Sequence, residues 1–158
     1  MTVPLLVIRP DDWNFPLLLH VGGAMVMCGA LAVASAALVL AVRSGGDDRV
    51  SLARFGFRTL LIGVVPSYLV MRVGAEWISS REGFGGDDDP GWIGIGYITS
   101  DFGLLLIIIA TVLSGLAARR IRSNPDGPSL MTRISMALTF ILIAAYVVAV
   151  WAMTTKPS

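Results

Sequence analysis

The sequence predicts an all-α membrane protein, four transmembrane helices packed as an antiparallel bundle in one domain spanning 1–158. Three observations carry that expectation. Apolar residues make up 55% of the chain and charged residues 15%, with a mean hydropathy of +0.76. Several uncharged runs approach or exceed the roughly 20 residues needed to cross a hydrocarbon layer of about 30 Å. The charges that remain fall between those runs, with the basic ones concentrated in alternate connections.

The first span is expected at 17–42, where the 26 residues Leu17 to Val42 carry no charge and only His20 and Ser35 are distinctly polar. It is crowded with Gly22, Gly23, Gly29, Ala30, Ala34, Ser35 and Ala37. Small faces of this kind let helices approach closely in lipid, where packing rather than hydrophobic drive holds them together. The residues before it carry Asp11 and Asp12 against Arg9, and the apolar run outlasts a leader's core, so a retained helix is expected.

The second span, expected at 54–78 with a kink at Pro66, needs a further argument. Its uncharged stretch, Thr59 to Met71, is only 13 residues long. Arg58 and Arg72 bracket it, and long basic side chains can run their stems along a helix toward the headgroups. Pro66 lacks the amide hydrogen that its position near the middle would donate, hence the kink. A third span is expected at 93–118, built on the 17 uncharged residues Phe102 to Ala118. The fourth, at 134–153, is 20 residues of uncharged chain ended by Thr154, Thr155, Lys156 and Pro157.

Charge sets the orientation. Arg43, Arg49, Arg54 and Arg58 flank the first connection, and Arg119, Arg120, Arg122 and Arg133 the third. The opposite side holds Arg9, Arg72, Arg81 and Lys156 among Asp11, Asp12, Glu76, Glu82, Asp87, Asp88, Asp89 and Asp101. The positive-inside rule therefore places 43–53 and 119–133 in the cytoplasm, and both termini and the acidic 79–92 loop outside a plasma (inner) membrane. Trp13, Trp77, Trp92 and Trp151 all fall at the outer ends, where amphipathic rings favour the headgroup zone.

The same composition excludes much. Twelve Lys and Arg against eleven Asp and Glu leave a formal charge of +1, with no bulk basic charge to hold nucleic acid. One cysteine forbids an internal disulfide, and one histidine forbids a haem held between two. Nucleophile–base pairs, metalloprotease helices and phosphate loops have no counterpart, so neither an enzyme nor a cofactor is expected. Asp87, Asp88 and Asp89 lack the spaced oxygens and distal glutamate of a calcium loop and read as a solvated acidic stretch. The expected partners are membrane lipids, and a second copy or a membrane complex.

Ionisable residues inside spans are the functional candidates, because they are costly there. Counted at 100° per residue, Arg54, Arg58, Arg72 and Glu76 fall in one narrow stripe of the second span, expected to face the bundle interior. Arg72 and Glu76, four apart, can pair. Asp101 and His20 should lie at similar depth, giving a polar cluster of His20, Tyr68, Arg72, Glu76 and Asp101. Such a cluster either locks the helices to one another or serves transport or the binding of a small ligand or a metal, copper or haem. Arg54 and Arg58, one turn apart, suit an anion or a lipid headgroup. His20, Met25, Cys28 and Met71 are of the type that copper takes. The bland alternative is that methionine fills the core and Cys28 is a small hydrophobe.

His20-Val21-Gly22-Gly23-Ala24 and Gly29-Ala30 resemble the opening of small four-helix bacterial membrane proteins loosely similar to copper-resistance D-type proteins. Met71-Arg72-Val73-Gly74-Ala75-Glu76-Trp77 and Trp92-Ile93-Gly94-Ile95-Gly96, with Asp101, resemble actinobacterial membrane families of unassigned function. The first resemblance implies copper handling, but this sequence lacks the extra histidines such a role would use. The second implies that Arg72, Glu76 and Asp101 belong to a recurring pattern.

Overall fold

The computed structural model describes residues 14–83, 91–124 and 130–155, and every regular element among them is helical. Arg9, Asp11, Asp12, Trp13, the acidic run Asp87 to Asp89, Asp126 and Lys156 lie outside the described residues. The helices are α1 (Asn14–Arg43), α2 (Gly46–Thr59), α3 (Val65–Glu82), α4 (Gly91–Ser123) and α5 (Leu130–Thr155), with a π-helical turn, Leu60–Val64, joining α2 to α3.

The second span is thus longer than its uncharged core. Asp47 and Asp48 occupy the first turn of α2, where the positive end of the helix dipole favours carboxylates. Pro66 can offer no amide hydrogen to the carbonyl of Ile62, and its ring crowds that carbonyl. The turn just before it widens so that Val65 N–H donates to the Leu60 carbonyl, five residues back. Gly83, at φ 74°, ends α3 in the left-handed conformation and donates its N–H to the Ser79 carbonyl at 3.0 Å.

Four helical stretches are long and apolar enough to cross a membrane: Phe15–Arg43, Gly46–Arg81, Gly91–Ser123 and Leu130–Thr155. Their outward faces carry Met25, Val26 and Leu40, then Ile62 and Leu69, then Leu105 and Val112, then Phe140 and Val147, all exposed. A belt of this extent on every helix belongs in hydrocarbon rather than water.

Contacts between α1 and the second span follow the small residues. A Cβ at Gly74 would lie 2.9 Å from the His20 Cα, and one at Gly23 would lie 2.9 Å from the Met71 Cα. Farther along, Gly63 faces Ala30, and Gly56 faces Ala34 and Leu38. Met27, Leu31, Leu60, Val64, Tyr68, Ile107, Leu142 and Tyr146 fill the centre. At one end of the molecule Ala41 of α1, Ala53 of α2 and Ile121 of α4 pack together. Exposed Arg43, Arg119, Arg120 and Arg122 lie within a turn or two of that cluster. At the other end Phe15 meets Trp77 edge-on at 6.0 Å, and Gly96 lies beside Met153.

The charged stripe of the second span does not face the interior, which corrects the expectation from periodicity. Arg54, Arg58 and Glu76 are exposed and Arg72 is half-buried. Ala53, Gly56, Leu60, Val64, Ser67, Met71 and Gly74 are buried instead, one helical step round. Close backbone approach at glycine decides which face packs, and the charges take the flank, where their stems can reach polar surroundings. Counting at a constant 100° also runs across the π turn, which rotates less per residue. Arg49, which the charge pattern sets beside Arg43, Arg54 and Arg58 in the first connection, is buried in α2 at 8% exposure, whereas those three are exposed.

Candidate functional site

Arg72 is the centre of the polar site. It follows Met71, whose buried side chain packs into the core, so its own side chain leaves α3 toward α4. There its guanidinium meets Glu76 Oε1 at 3.0 Å and Asp101 Oδ1 at 3.2 Å. The Glu76 contact is the one-turn pair expected on a single helix. The Asp101 contact joins α3 to α4. The Arg72 guanidinium also lies 4.9 Å from the centre of the Tyr97 ring, within cation–π range. Tyr97 in turn donates its hydroxyl hydrogen to Ser79 Oγ at 3.0 Å. Side-chain exposures of 27% for Arg72, 50% for Glu76 and 66% for Asp101 place the node at the rim of the bundle rather than in its core.

Below the charges, Tyr68 ties the same two helices. Its hydroxyl donates to the Ser100 carbonyl at 3.1 Å and lies 3.1 Å from Ser100 Oγ. Ser100 immediately precedes Asp101, so the two contacts set the position of one turn of α4.

His20 does not join this node. Its Nδ1 lies 3.1 Å from the Met71 carbonyl, and because a carbonyl only accepts, Nδ1 carries the hydrogen. Among the described residues no hydrogen bond or ion pair links His20 to Arg72, Glu76 or Asp101. The imidazole fastens α1 to α3 beside the Gly74 approach. Of the five residues expected to cluster, the structure therefore brings Arg72, Glu76 and Asp101 together, sets Tyr68 beneath them and puts His20 to another task. Tyr97, Ser79 and Ser100 are members that the sequence reading missed. Tyr97 and Asp101 are four apart on α4, a spacing that places both on the face Arg72 meets.

The soft-metal set is not assembled. Met25 points outward at 71% exposure, whereas Met71 is buried and meets His20 through its backbone oxygen. Cys28 is half-buried and packs against the core. Among the described residues no three His, Cys, Asp or Glu side chains form a metal-sized group.

Arg54 and Arg58 line a second feature. With Asp47, Val50, Ser51 and Phe55, all on one face of α2, they line a shallow open groove of about 380 Å³ at the basic end of the molecule. Comparison with protein-family models, curated proteins and solved structures finds no match to this chain.

Proposed function

We propose that this chain is a small four-span integral membrane protein of structural or accessory type, an antiparallel bundle bent at Pro66, with no catalytic activity. The observation that carries the reading is the engagement of Arg72 by Glu76 at 3.0 Å and Asp101 at 3.2 Å at once. Charges spent on one another join helices, whereas a binding site keeps a carboxylate or guanidinium turned toward its ligand. By charge distribution the basic connections face the cytoplasm and the Arg72 node lies in the outer leaflet of the plasma membrane. A second copy or a larger membrane assembly is the natural partner for so small a bundle.

The competing reading is a transporter or small-ligand protein that uses the same residues, and the half-exposed carboxylates favour a cation there. Two variants separate the readings. In Arg72→Gln and Glu76→Gln, loss of monodisperse protein on size exclusion supports architecture. Full folding with loss of a bound ion, detected by elemental analysis and native mass of the purified wild type, supports a site.

A further inference from the structure

The groove on α2 belongs to neither reading of the outer node, and its chemistry is distinct. Asp47, Ser51, Arg54 and Arg58 follow one another at intervals of four, three and four residues, so they form one stripe of the helix. Cβ atoms on a helix tilt toward its N-terminus, so the arginine stems lead from Arg58 and Arg54 toward Ser51 and Asp47. Among the described residues Arg54 and Arg58 form no ion pair, and neither does Asp47. Phe55 and Val50 supply an apolar wall.

Position adds to this. The charge-free core of the second span begins at Thr59, so Arg58 and Arg54 lie where acyl chains give way to headgroups. Exposed Arg43, Arg119, Arg120, Arg122 and Arg133 draw phosphate-bearing lipids of every class to this end, so the choice among them falls to the groups that line the groove itself. Two guanidiniums and a hydroxyl make a site for a phosphodiester, since guanidinium binds phosphate oxygens through paired N–H groups. A carboxylate in the same stripe would repel a purely anionic headgroup and attract one that also carries a cation.

We propose that the Asp47–Arg58 groove holds a phospholipid with a primary-amine headgroup of the phosphatidylethanolamine class. Arg54, Arg58 and Ser51 take the phosphate, Asp47 takes the ammonium, and Phe55 lies along the upper acyl chain. Phosphatidylcholine fits less well because its quaternary ammonium has no N–H to donate. Phosphatidylglycerol fits less well because it offers Asp47 no cation.

The test is native mass spectrometry of the full chain in a neutral sugar detergent. The protein is titrated separately with dioleoyl phosphatidylethanolamine, -choline and -glycerol and with sodium phosphate. The expected result is retention of phosphatidylethanolamine about tenfold over the other two lipids, the effect of one charge-assisted contact. Arg54→Gln with Arg58→Gln should lower that retention about tenfold or more. Asp47→Asn should abolish the preference for the amine while leaving phospholipid bound. Equal retention of phosphatidylethanolamine and phosphatidylcholine by the wild type overturns the proposal, and this arm needs no variant to fold. Unchanged lipid retention in a folded double-arginine variant overturns it too, as does uptake of inorganic phosphate without any lipid preference.

Discussion

Gly74 stands so close to the His20 backbone that a side chain there would come within 2.9 Å of the His20 Cα. Neither partner can yield cheaply, since both are helix backbone. The same approach lets the His20 ring reach the Met71 carbonyl one turn earlier on α3. Gly74→Ala should therefore destabilise by about 1–3 kcal/mol, the ordinary cost of overpacking, and Gly23→Ala by a similar amount. Gly22→Ala is the control, because nothing lies within 4 Å of the added carbon. Thermal unfolding in detergent, followed by the loss of the monodisperse peak, should rank Gly74 and Gly23 together and leave Gly22 near wild type.

Two buried tyrosines should answer the same substitution differently. Tyr68 donates to the Ser100 carbonyl, so Tyr68→Phe removes a satisfied buried bond and should cost about 0.5–1.5 kcal/mol. The Tyr146 hydroxyl is buried against Gly103 and has no hydrogen-bond partner among the described residues. Tyr146→Phe keeps the ring that fills the core and discards the unpaired group, so it should be neutral or stabilising. Parallel melts of the two variants check this, and a destabilised Tyr146→Phe would show that the hydroxyl is paired after all.

How far the sequence reached follows from what its signals encode. Long uncharged runs report which segments can lie in hydrocarbon, and all four appear as helices, including the one interrupted by Arg58 and Arg72. Which face of a helix turns inward is a weaker signal in a membrane protein, because lipid-facing and core-facing residues are both apolar. Charge was the available guide in the second span. It misled at Arg54 and Arg58, because packing is governed there by Gly56 and Gly74 against α1. The pairing of Arg72 with Glu76 was legible from their spacing on one helix. Asp101 was legible only through its depth in the third span, and Tyr97 was lost among other apolar and aromatic residues. The role of His20 depended on where the α1 backbone passes α3, which no local pattern records.

A crossing by Gly46–Arg81 makes its two ends accessible from opposite sides of the membrane. Ser51 and Ser80 are both exposed and lie near those ends, 29 residues apart, or about 43 Å along a helix. With Cys28 replaced by alanine, Ser51→Cys and Ser80→Cys should react with a membrane-impermeant maleimide from opposite faces. Whole cells should label Ser80→Cys, and inverted vesicles should label Ser51→Cys. Labelling of both from one face would rule out the crossing.

The Arg72–Asp101 pair can be weighed with a double-mutant cycle. Both side chains are partly in contact with solvent, so the pair resembles a surface ion pair, for which about 0–1 kcal/mol is usual. Two features push it to the upper part of that range. Arg72 is held from a second side by Glu76, and its guanidinium lies over the Tyr97 ring, so ordering it for Asp101 costs little further side-chain entropy. Asp101→Asn should then cost less than Arg72→Gln, because the latter leaves Glu76 and Asp101 as neighbouring like charges. The coupling energy from the cycle should be about 0.5–1 kcal/mol and should shrink on raising the salt concentration. Arg72→Lys should recover only part of the loss: one guanidinium nitrogen meets both carboxylates, which an ammonium can imitate, but a lysine lacks the planar group that lies over the Tyr97 ring at the same time. Additive single effects, with zero coupling, would mean that Asp101 merely lies near Arg72, and the link from Arg72 to α4 would then rest on Tyr97 alone, since Glu76 shares α3 with Arg72.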